Sequence, residues 1–149
     1  MYDKTKTDQI KSTLSGKIGV MFSCWDLLHP GHILALKEAS GLCDHLIVGL
    51  HVNPQLERPE KNEPIIDLAG RKIMLEGCKY INNYIEYETE ADLYQILLDL
   101  TPSVRFLGTD YVNKKFTGED LLIPIHYIDR SHNYSSSNLR TKIAQKTHK

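Results

Sequence analysis

Short apolar runs alternate with segments of helical periodicity along most of this chain. Two continuously apolar runs and three shorter ones predict strands at residues 17–23, 45–52, 83–87, 103–107 and 122–128. Helices are predicted at residues 32–42, from Asp67 onward, at 90–100 and at 135–146. Strands that alternate with helices form right-handed βαβ units, so the pattern predicts an α/β fold in which helices cover both faces of a parallel sheet.

Two stretches lack this periodicity and are predicted to be loops, at residues 53–66 and 111–121. The first is polar and carries Arg58 and Lys61, which are candidates to close over a bound ligand. A role as plain solvated loop charges is equally compatible with the sequence. In the helix that Asp67 would cap, Ile73 and Met74 are expected to lie on the buried apolar face.

Length and charge narrow the class of protein. The 149 residues fit one domain, which we assign to residues 17–149, after a polar N-terminal segment at residues 1–16. A net charge of −1 predicts no general attraction to nucleic acid or to an anionic membrane. No apolar run approaches the roughly 20 residues that span a bilayer, and the N-terminal segment does not resemble a secretory signal, so a cytoplasmic location is expected.

The three cysteines do not form a recognisable framework. Cys24, Cys43 and Cys78 are widely spaced and odd in number, which argues against a set of disulfides and against a CxxC-type zinc site. Cys43 and Cys78 are expected to be small buried residues. Cys24 is expected to face a pocket, but no paired histidine supports a nucleophilic role for it.

The segment from Ser23 to His32 follows the first strand and opens a helix. A helix N-terminus presents unpaired N–H groups and positive potential, which suit phosphate. Pro30 fits the first helical turn, Gly31 lets a phosphate approach the backbone, and His29 and His32 add donors that become cationic near neutral pH. A metal site is not predicted, because no further His, Cys, Asp or Glu ligands lie nearby at a convincing spacing. The competing interpretation is that the two histidines simply cap the helix and fill the core.

A second segment with similar chemistry runs from Arg130 to Arg140. Its serine run before a helix offers hydroxyl and N–H groups to phosphate oxygens, and the flanking arginines favour an anion site. An ordinary N-cap by Ser135 or Ser136 would explain the serines equally well. Both segments, together with Gly108 and Asp110, follow predicted strands, so we expect them to converge on one crevice.

Together, these segments resemble the nucleotidyltransferases of the HxGH superfamily, in particular the short cytidylyltransferases of the glycerol-3-phosphate cytidylyltransferase type. The family pattern GTFDxxHxGH corresponds to residues 23–32, and RTxGISTT corresponds to residues 130–137. The resemblance extends from about residue 17 to about residue 143. The chain departs from the patterns at Ser23-Cys24 (Gly-Thr in the family), at Trp25 (Phe) and at Asn133-Tyr134 (Gly-Ile).

The resemblance implies a Rossmann-like five-stranded parallel sheet, often in a homodimer. It also implies transfer of CMP from CTP to a small phosphorylated or phosphonylated acceptor such as glycerol 3-phosphate, with release of pyrophosphate and with Mg²⁺ held mainly by the nucleotide phosphates. The implied catalytic residues are His29, His32, Arg130 and Ser136. The implied nucleotide contacts are Ser23, Cys24, Trp25, Asp26, Gly31, Arg71, Gly108, Asp110, Ser135 and Ser137.

Two alternatives stay open at this point. The serine run followed by Leu139-Arg140 also resembles the ISSTxxR pattern of related adenylyltransferases, which would use ATP. A non-catalytic nucleotide-binding module is the alternative from another class of protein. The presence of both His29 and His32, and of Arg130, counts against that module, since binding alone needs no groups that stabilise a transition state.

Overall fold

Five parallel strands form one sheet in the order β3-β2-β1-β4-β5 in the computed structural model, which describes residues 2–147. The strands are β1 (Ile18–Ser23), β2 (His45–His51), β3 (Asn83–Tyr87), β4 (Val104–Gly108) and β5 (Ile125–Ile128). The helices are α1 (Lys4–Thr13), α2 (Pro30–Ser40), α3 (Leu68–Glu76), α4 (Glu90–Leu100) and α5 (Ser136–Thr147). The predicted fold class, with its five-stranded parallel sheet, is confirmed.

The strand order locates the place where a ligand would bind. The chain builds outward from β1 to β2 and β3, and then returns to the other side of β1 to form β4 and β5. The direction of winding therefore reverses between β1 and β4. In open parallel sheets, the crevice for ligands lies beyond the carboxyl ends of the strands at this reversal.

Two apolar layers cover the sheet, one on each face. On one face, side chains of β1, β2 and β4 pack with α2 and α3, in a cluster that includes Leu36, Leu46 and Phe106. On the other face, the opposite side chains of β1 to β3 pack with α1 and α4, in a cluster that includes Ile47, Ile85 and Leu97. Alternate residues of one strand thus serve different layers, as the two-residue period of a strand requires.

The N-terminal segment, whose polar composition predicts no element, contains α1. Asp3 caps this helix by accepting a hydrogen bond from the Thr5 amide at 3.0 Å. The helix packs against α4, where Ile10 is buried and the Tyr2 hydroxyl donates to the Asp99 carboxylate. The segment is therefore part of the layer that covers one face of the sheet.

The last strand is shorter than predicted. The prediction placed it at residues 122–128, but β5 begins at Ile125. Leu122 has a left-handed backbone with φ 56°, and Pro124 has no N–H to donate to a neighbouring strand. The other predicted boundaries agree with the structure within a few residues; α2, for example, begins at Pro30 rather than at His32.

Two of the residues that were expected on the buried face of α3 are exposed. Ile73 and Met74 were expected inside, but they are 68% and 41% exposed. The residues that point inward are Arg71 and Leu75. Within residues 2–147, no helix is both long and apolar enough to cross a membrane.

Candidate active site

A cavity of about 920 Å³ opens at the carboxyl edge of the sheet, where the winding reverses. It is bounded by the ends of the strands, by the first turns of α2 and α5, and by parts of the loops at 53–66 and 109–117. Its volume lies in the range of pockets that enclose small organic ligands. The crevice expected from the sequence is thus present at the predicted edge.

The approach to α2 is held in an unusual backbone conformation. Trp25 and Leu27 have φ values of 55° and 48°, in the left-handed region that non-glycine residues seldom occupy. The Trp25 indole, 1% exposed, anchors this turn by donating to the Gly49 carbonyl at 2.9 Å. Local strain of this kind persists only where the surroundings enforce it, and here it aims the start of α2 at the cavity.

His29 and His32 cap the start of α2 through one nitrogen each. Nδ1 of His29 accepts a hydrogen bond from the Gly31 amide at 3.0 Å, and Nδ1 of His32 accepts one from the His29 amide at 3.2 Å. A ring nitrogen that accepts from an N–H is unprotonated, so in each neutral ring the proton lies on Nε2. The capping interpretation is therefore correct, and it leaves both rings as Nε2–H donors in the wall of the cavity.

The sequence predicted that these two histidines become cationic near neutral pH, but in the free protein the pKa of each lies below its ordinary value. Burial lowers the pKa of His32 to about 4, and the neighbouring His29 and Arg130 act in the same direction. Burial also lowers the pKa of His29, and His132 and Arg130 add to the effect. Without a ligand, both rings are neutral donors at pH 7; a bound polyanion would favour their protonation.

Gly31 is required by its neighbours. A Cβ at this position would lie 2.8 Å from Cε1 of His29 and 2.9 Å from Cε1 of His132. Both distances are well inside van der Waals contact. The glycine therefore allows two imidazole rings to close over the helix start, and its own amide, which was expected to be open to a phosphate, is bonded to His29 Nδ1.

The start of α5 contributes serine hydroxyl groups to the same cavity. Ser135 caps the helix, since its Oγ accepts from the Asn138 amide at 3.0 Å, so the N-cap interpretation also holds for this residue. Ser136 Oγ donates to the Asp26 carbonyl at 3.3 Å, and this contact joins the two motifs directly. Ser135, Ser136 and Ser137 all line the cavity.

Arg130 and Asp110 form a polar pair at the opening of the cavity. Arg130 Nη1 lies 3.6 Å from Asp110 Oδ1, and both side chains are about half exposed. A Cβ at Gly108 would lie 2.5 Å from Asp110 Oδ1 and 3.1 Å from Cδ of Arg130. The glycine thus lets both side chains cross the end of β4.

Two predicted nucleotide contacts do not line the cavity. The Asp26 carboxylate is buried; it accepts the Ile65 and Ile66 amides at 2.9 Å each and pairs with Arg140 at 2.7 Å. Arg71, 2% exposed, donates to the carbonyls of Cys24, His51, Val52 and Ile66 at 2.6 to 3.0 Å. These two residues support the loops around the site. The predicted nucleotide contacts by Asp26 and Arg71 are not present at the cavity, because both carboxylate oxygens of Asp26 accept amides and each guanidinium nitrogen of Arg71 donates to a carbonyl.

The remaining predicted residues are brought together as expected. Ser23, Cys24 and Trp25 line the cavity, and so do the loop cations Arg58 and Lys61. Arg58 also pairs with Glu90 at 3.4 Å. Burial raises the pKa of the Cys24 thiol, so this group is protonated at neutral pH and does not act as a nucleophile there.

Several residues of the site were missed in the sequence. His132 packs against Gly31, and its signal was visible because it lies within the segment from Arg130 to Arg140. Arg140 was expected to flank an anion site there, but from α5 it pairs instead with Asp26. His51, Tyr87, Arg105 and Lys115 line a part of the cavity that no motif predicted. For Arg105 the signal was a lone charge inside an apolar strand.

The sequence and the fold are similar to those of known proteins. Residues 20–142 match the sequence model of the cytidylyltransferase-like family. The bifunctional protein HldE of Helicobacter pylori (strain HPAG1) is 31% identical over 133 residues, which cover 89% of this chain and 28% of HldE. HldE of Rhodopseudomonas palustris (strain BisB18) is 32% identical over 107 residues, which cover 71% of this chain and 22% of that HldE. The chain therefore spans less than a third of the length of these relatives.

Two solved structures share the fold. A lipopolysaccharide core biosynthesis protein from Thermoplasma volcanium superposes with a TM-score of 0.65 at 24% identity, over 79% of this chain and all of that one. Pantoate-beta-alanine ligase from Francisella tularensis gives a TM-score of 0.65 at 19% identity, over 98% of this chain and 76% of the ligase. The match over most of the chain, with both motifs at one cavity, places this protein in the cytidylyltransferase-like family of nucleotidyltransferases.

Proposed function

We propose that this protein transfers CMP from CTP to a small phosphorylated acceptor and releases pyrophosphate. The observation that carries this proposal is the start of α2, where His29 and His32 cap the helix through Nδ1 and keep Nε2–H for a ligand. Two imidazole donors, the positive end of the α2 dipole and a neighbouring serine run favour a polyphosphate over a neutral or cationic ligand.

The reaction needs no general base from the protein. A phosphomonoester is already ionised at neutral pH, so one of its oxygens attacks the α-phosphorus directly. The bond from this oxygen to the α-phosphorus forms while the bond to the β-phosphate bridging oxygen breaks, and pyrophosphate leaves with the electron pair. Catalysis then depends on in-line alignment and on stabilising negative charge as it builds on the phosphoryl oxygens.

Different residues of the cavity contact different phosphates of the nucleotide. His29 and His32 donate to the α-phosphate and stabilise its charge in the transition state. Ser136, with the first amides of α5, holds the β- and γ-phosphates and then the departing pyrophosphate. Arg130, whose partner Asp110 is half exposed, bridges the nucleotide and its phosphates.

The cavity also fits a Mg²⁺ ion that is held mainly by the nucleotide. Within residues 2–147, no group of three or more His, Cys, Asp or Glu side chains forms a metal site. Asp110 is a carboxylate in the lining that is able to add one protein oxygen to ligands from phosphate and water. The ion would neutralise triphosphate charge; the alignment of the acceptor remains the task of the side chains.

CTP is the nucleotide we propose first, on the resemblance of both motifs to short cytidylyltransferases. ATP is the second candidate, and two observations favour it. The serine run continues into Leu139-Arg140, as in adenylyltransferase relatives. The Francisella ligase, which shares the fold, was solved in complex with beta-gamma ATP.

Pyrophosphate release measured across nucleotides and acceptors tests the proposal. The panel combines CTP or ATP with glycerol 3-phosphate, phosphocholine, a sugar phosphate and a phosphonate. Release that requires both CTP and a phosphorylated acceptor supports the proposal. Release that requires an acceptor and occurs with ATP but not with CTP supports the second candidate. No release in any combination, together with tight nucleotide binding, would instead indicate a non-catalytic module.

The two histidines have a sharper test. His29→Ala and His32→Ala are each expected to lower kcat/KM by about 10²–10³-fold, the usual loss when one transition-state donor is removed. His45→Ala serves as the control, because His45 lies at the amino end of β2, away from the cavity, where its ring is hydrogen-bonded to the Ser15 carbonyl. A loss of less than about tenfold in a folded variant would remove that histidine from the transition-state role.

A further inference from the structure

Arg105 is a buried cation in the part of the cavity that the nucleotide motifs do not explain. It lies on β4, is 4% exposed, and lines the cavity. Its guanidinium carbon lies 5.3 Å from the ring centroid of Phe22 and 5.3 Å from that of Phe116. The guanidinium is therefore held between two aromatic rings.

The hydrogen bonds of this guanidinium are incomplete. Nη1 donates to the Thr117 carbonyl, whereas Nε is buried and has no partner. No ion pair formed by the described residues includes Arg105. Burial lowers the pKa of the guanidinium, and the carboxylate of Glu90 acts in the opposite direction. A buried charge with so few partners costs stability, which calls for a compensating role.

The other arginines at this cavity already have carboxylate partners. Arg58 pairs with Glu90, and Arg130 pairs with Asp110. The walls beside Arg105 are the aromatic rings of Phe22 and Phe116, and Glu90, the carboxylate that acts on it, lines the same cavity but pairs with Arg58. An ionic hydrogen bond is stronger between such walls than in water, so an anion that reaches Arg105 would be held firmly.

Arg105 also projects from the face of the sheet opposite to α2. Val104 and Phe106, its neighbours on β4, belong to the layer packed with α2 and α3. The side chain of Arg105 points the other way, towards Phe22 and the turn at Gly118 on the α4 side. The triphosphate groups proposed above belong to the starts of α2 and α5, so Arg105 is available for a different ligand.

We propose that Arg105 binds the phosphate dianion of the acceptor, in a subsite between Phe22 and Phe116. This inference rests on the proposed function and names the residue that selects an anionic acceptor. The edge formed by Nε and Nη2 matches two oxygens of a phosphomonoester or phosphonate. Two oxygens held in this way leave the third free to attack the α-phosphorus.

Substitution of Arg105 tests the subsite. In Arg105→Met, the KM of the acceptor is expected to rise by about 10- to 100-fold, because a charge-assisted bidentate contact is lost, whereas the Kd of the nucleotide stays within about twofold. Arg105→Lys keeps the charge but loses the two parallel N–H donors of the guanidinium. Its acceptor KM should therefore lie between those of Arg105→Met and wild type. Lys114→Met, which removes an exposed charge near the same turn, is the matched control.

Thermal unfolding separates a binding role from a structural one. If Arg105 serves mainly to hold the turn at Thr117, Arg105→Met lowers Tm and Arg105→Lys restores it. If it is kept for a ligand, Met at this position leaves Tm unchanged or raises it, since an uncompensated buried charge is removed. Equal loss of nucleotide and acceptor affinity, or an acceptor KM equal to that of Lys114→Met, would overturn the proposal.

Calorimetry without nucleotide keeps the subsite testable if the proposed reaction fails. Wild type, Arg105→Met and Lys114→Met are titrated with glycerol 3-phosphate and with inorganic phosphate. Weaker binding in Arg105→Met alone supports the subsite even when no pyrophosphate is released. Binding that is identical in the three proteins, or absent from wild type, contradicts it. A preference for the ester over inorganic phosphate would distinguish an acceptor subsite from a general phosphate site.

Discussion

Arg71 and Arg105 are buried to almost the same degree, at 2% and 4% exposure, yet their surroundings are opposite. The guanidinium of Arg71 donates to four backbone carbonyls, those of residues 24, 51, 52 and 66. That of Arg105 donates to one carbonyl and leaves a buried Nε without a partner. Burial alone therefore does not reveal the role of a charged side chain; the number of satisfied donors does.

Arg71 and Arg105 therefore have different roles. Arg71 joins the end of β1, the end of β2 and the loop that precedes α3, so it stabilises the frame around the cavity. Arg105 stabilises little and remains available to a ligand. Folded proteins keep strained or unsatisfied groups mainly where binding or catalysis needs them.

The largest expected effect is on Arg71. Arg71→Met should lower the free energy of unfolding by about 3–5 kcal/mol, because four carbonyls lose a charged donor inside the protein. Urea unfolding of the variant and of wild type measures the difference. Lys72→Met is the control, since Lys72 adjoins Arg71 on α3 and forms a half-exposed pair with Glu86. A loss below about 1 kcal/mol would remove the distinction between the two arginines.

His32 gives a second, pH-dependent effect of slightly smaller size. Its pKa is about 4 in the folded protein, below the value of about 6.5 for an exposed histidine. The neutral ring therefore favours the folded state above pH ~6.5, and this contribution is lost as the pH falls towards 4. The difference of about 2.5 units corresponds to roughly 3 kcal/mol across that window.

Urea unfolding between pH 7 and pH 4 checks this effect. The unfolding free energy of His32→Gln should fall less steeply with acid than that of wild type. His45→Gln, at the other end of β2, should keep the slope of wild type. If His32→Gln and wild type have parallel pH profiles, the imidazole at the start of α2 is not held neutral by burial.

The smallest expected effect is on the stability of Arg105→Met. Its unfolding free energy should lie within about 1 kcal/mol of wild type or above it, because removal of an unpaired buried charge offsets the loss of one hydrogen bond. The same urea measurement that is used for Arg71→Met reports this value. A loss as large as that of Arg71→Met would make both arginines structural and would end the contrast.

The elements that were predictable from sequence are those with a strong local signal. Continuous apolar character predicted β1 and β2, and the motif with Pro30 and the two histidines predicted the start of α2. α1 was not predicted because it is mostly polar, and the buried contacts that hold it, such as those of Ile10 in the layer with Leu97, join residues far apart in sequence. Tertiary packing, which no local pattern contains, decides such an element.

The two arginines show the same limit at the level of the site. Arg71 was expected to contact the nucleotide, but it lies on the inward stripe of α3, where Ile73 was expected and is instead exposed. Its carbonyl partners come from three separate segments, so their convergence was not visible in the sequence. Arg105 did leave a signal, as the charged residue in the middle of a buried strand, but only the cavity and the missing partner give that signal a meaning.

The fate of a labelled nucleotide shows directly whether the protein catalyses nucleotidyl transfer. Wild type is incubated with a phosphorylated acceptor and with CTP, or in parallel ATP, that carries ³²P at either the α- or the γ-position. Nucleotidyl transfer puts the α-label in a new phosphoanhydride between the nucleoside monophosphate and the acceptor phosphate, and the γ-label in pyrophosphate. Transfer of the γ-label to the acceptor, or recovery of both labels in unreacted nucleotide with every acceptor, would contradict nucleotidyl transfer at this site.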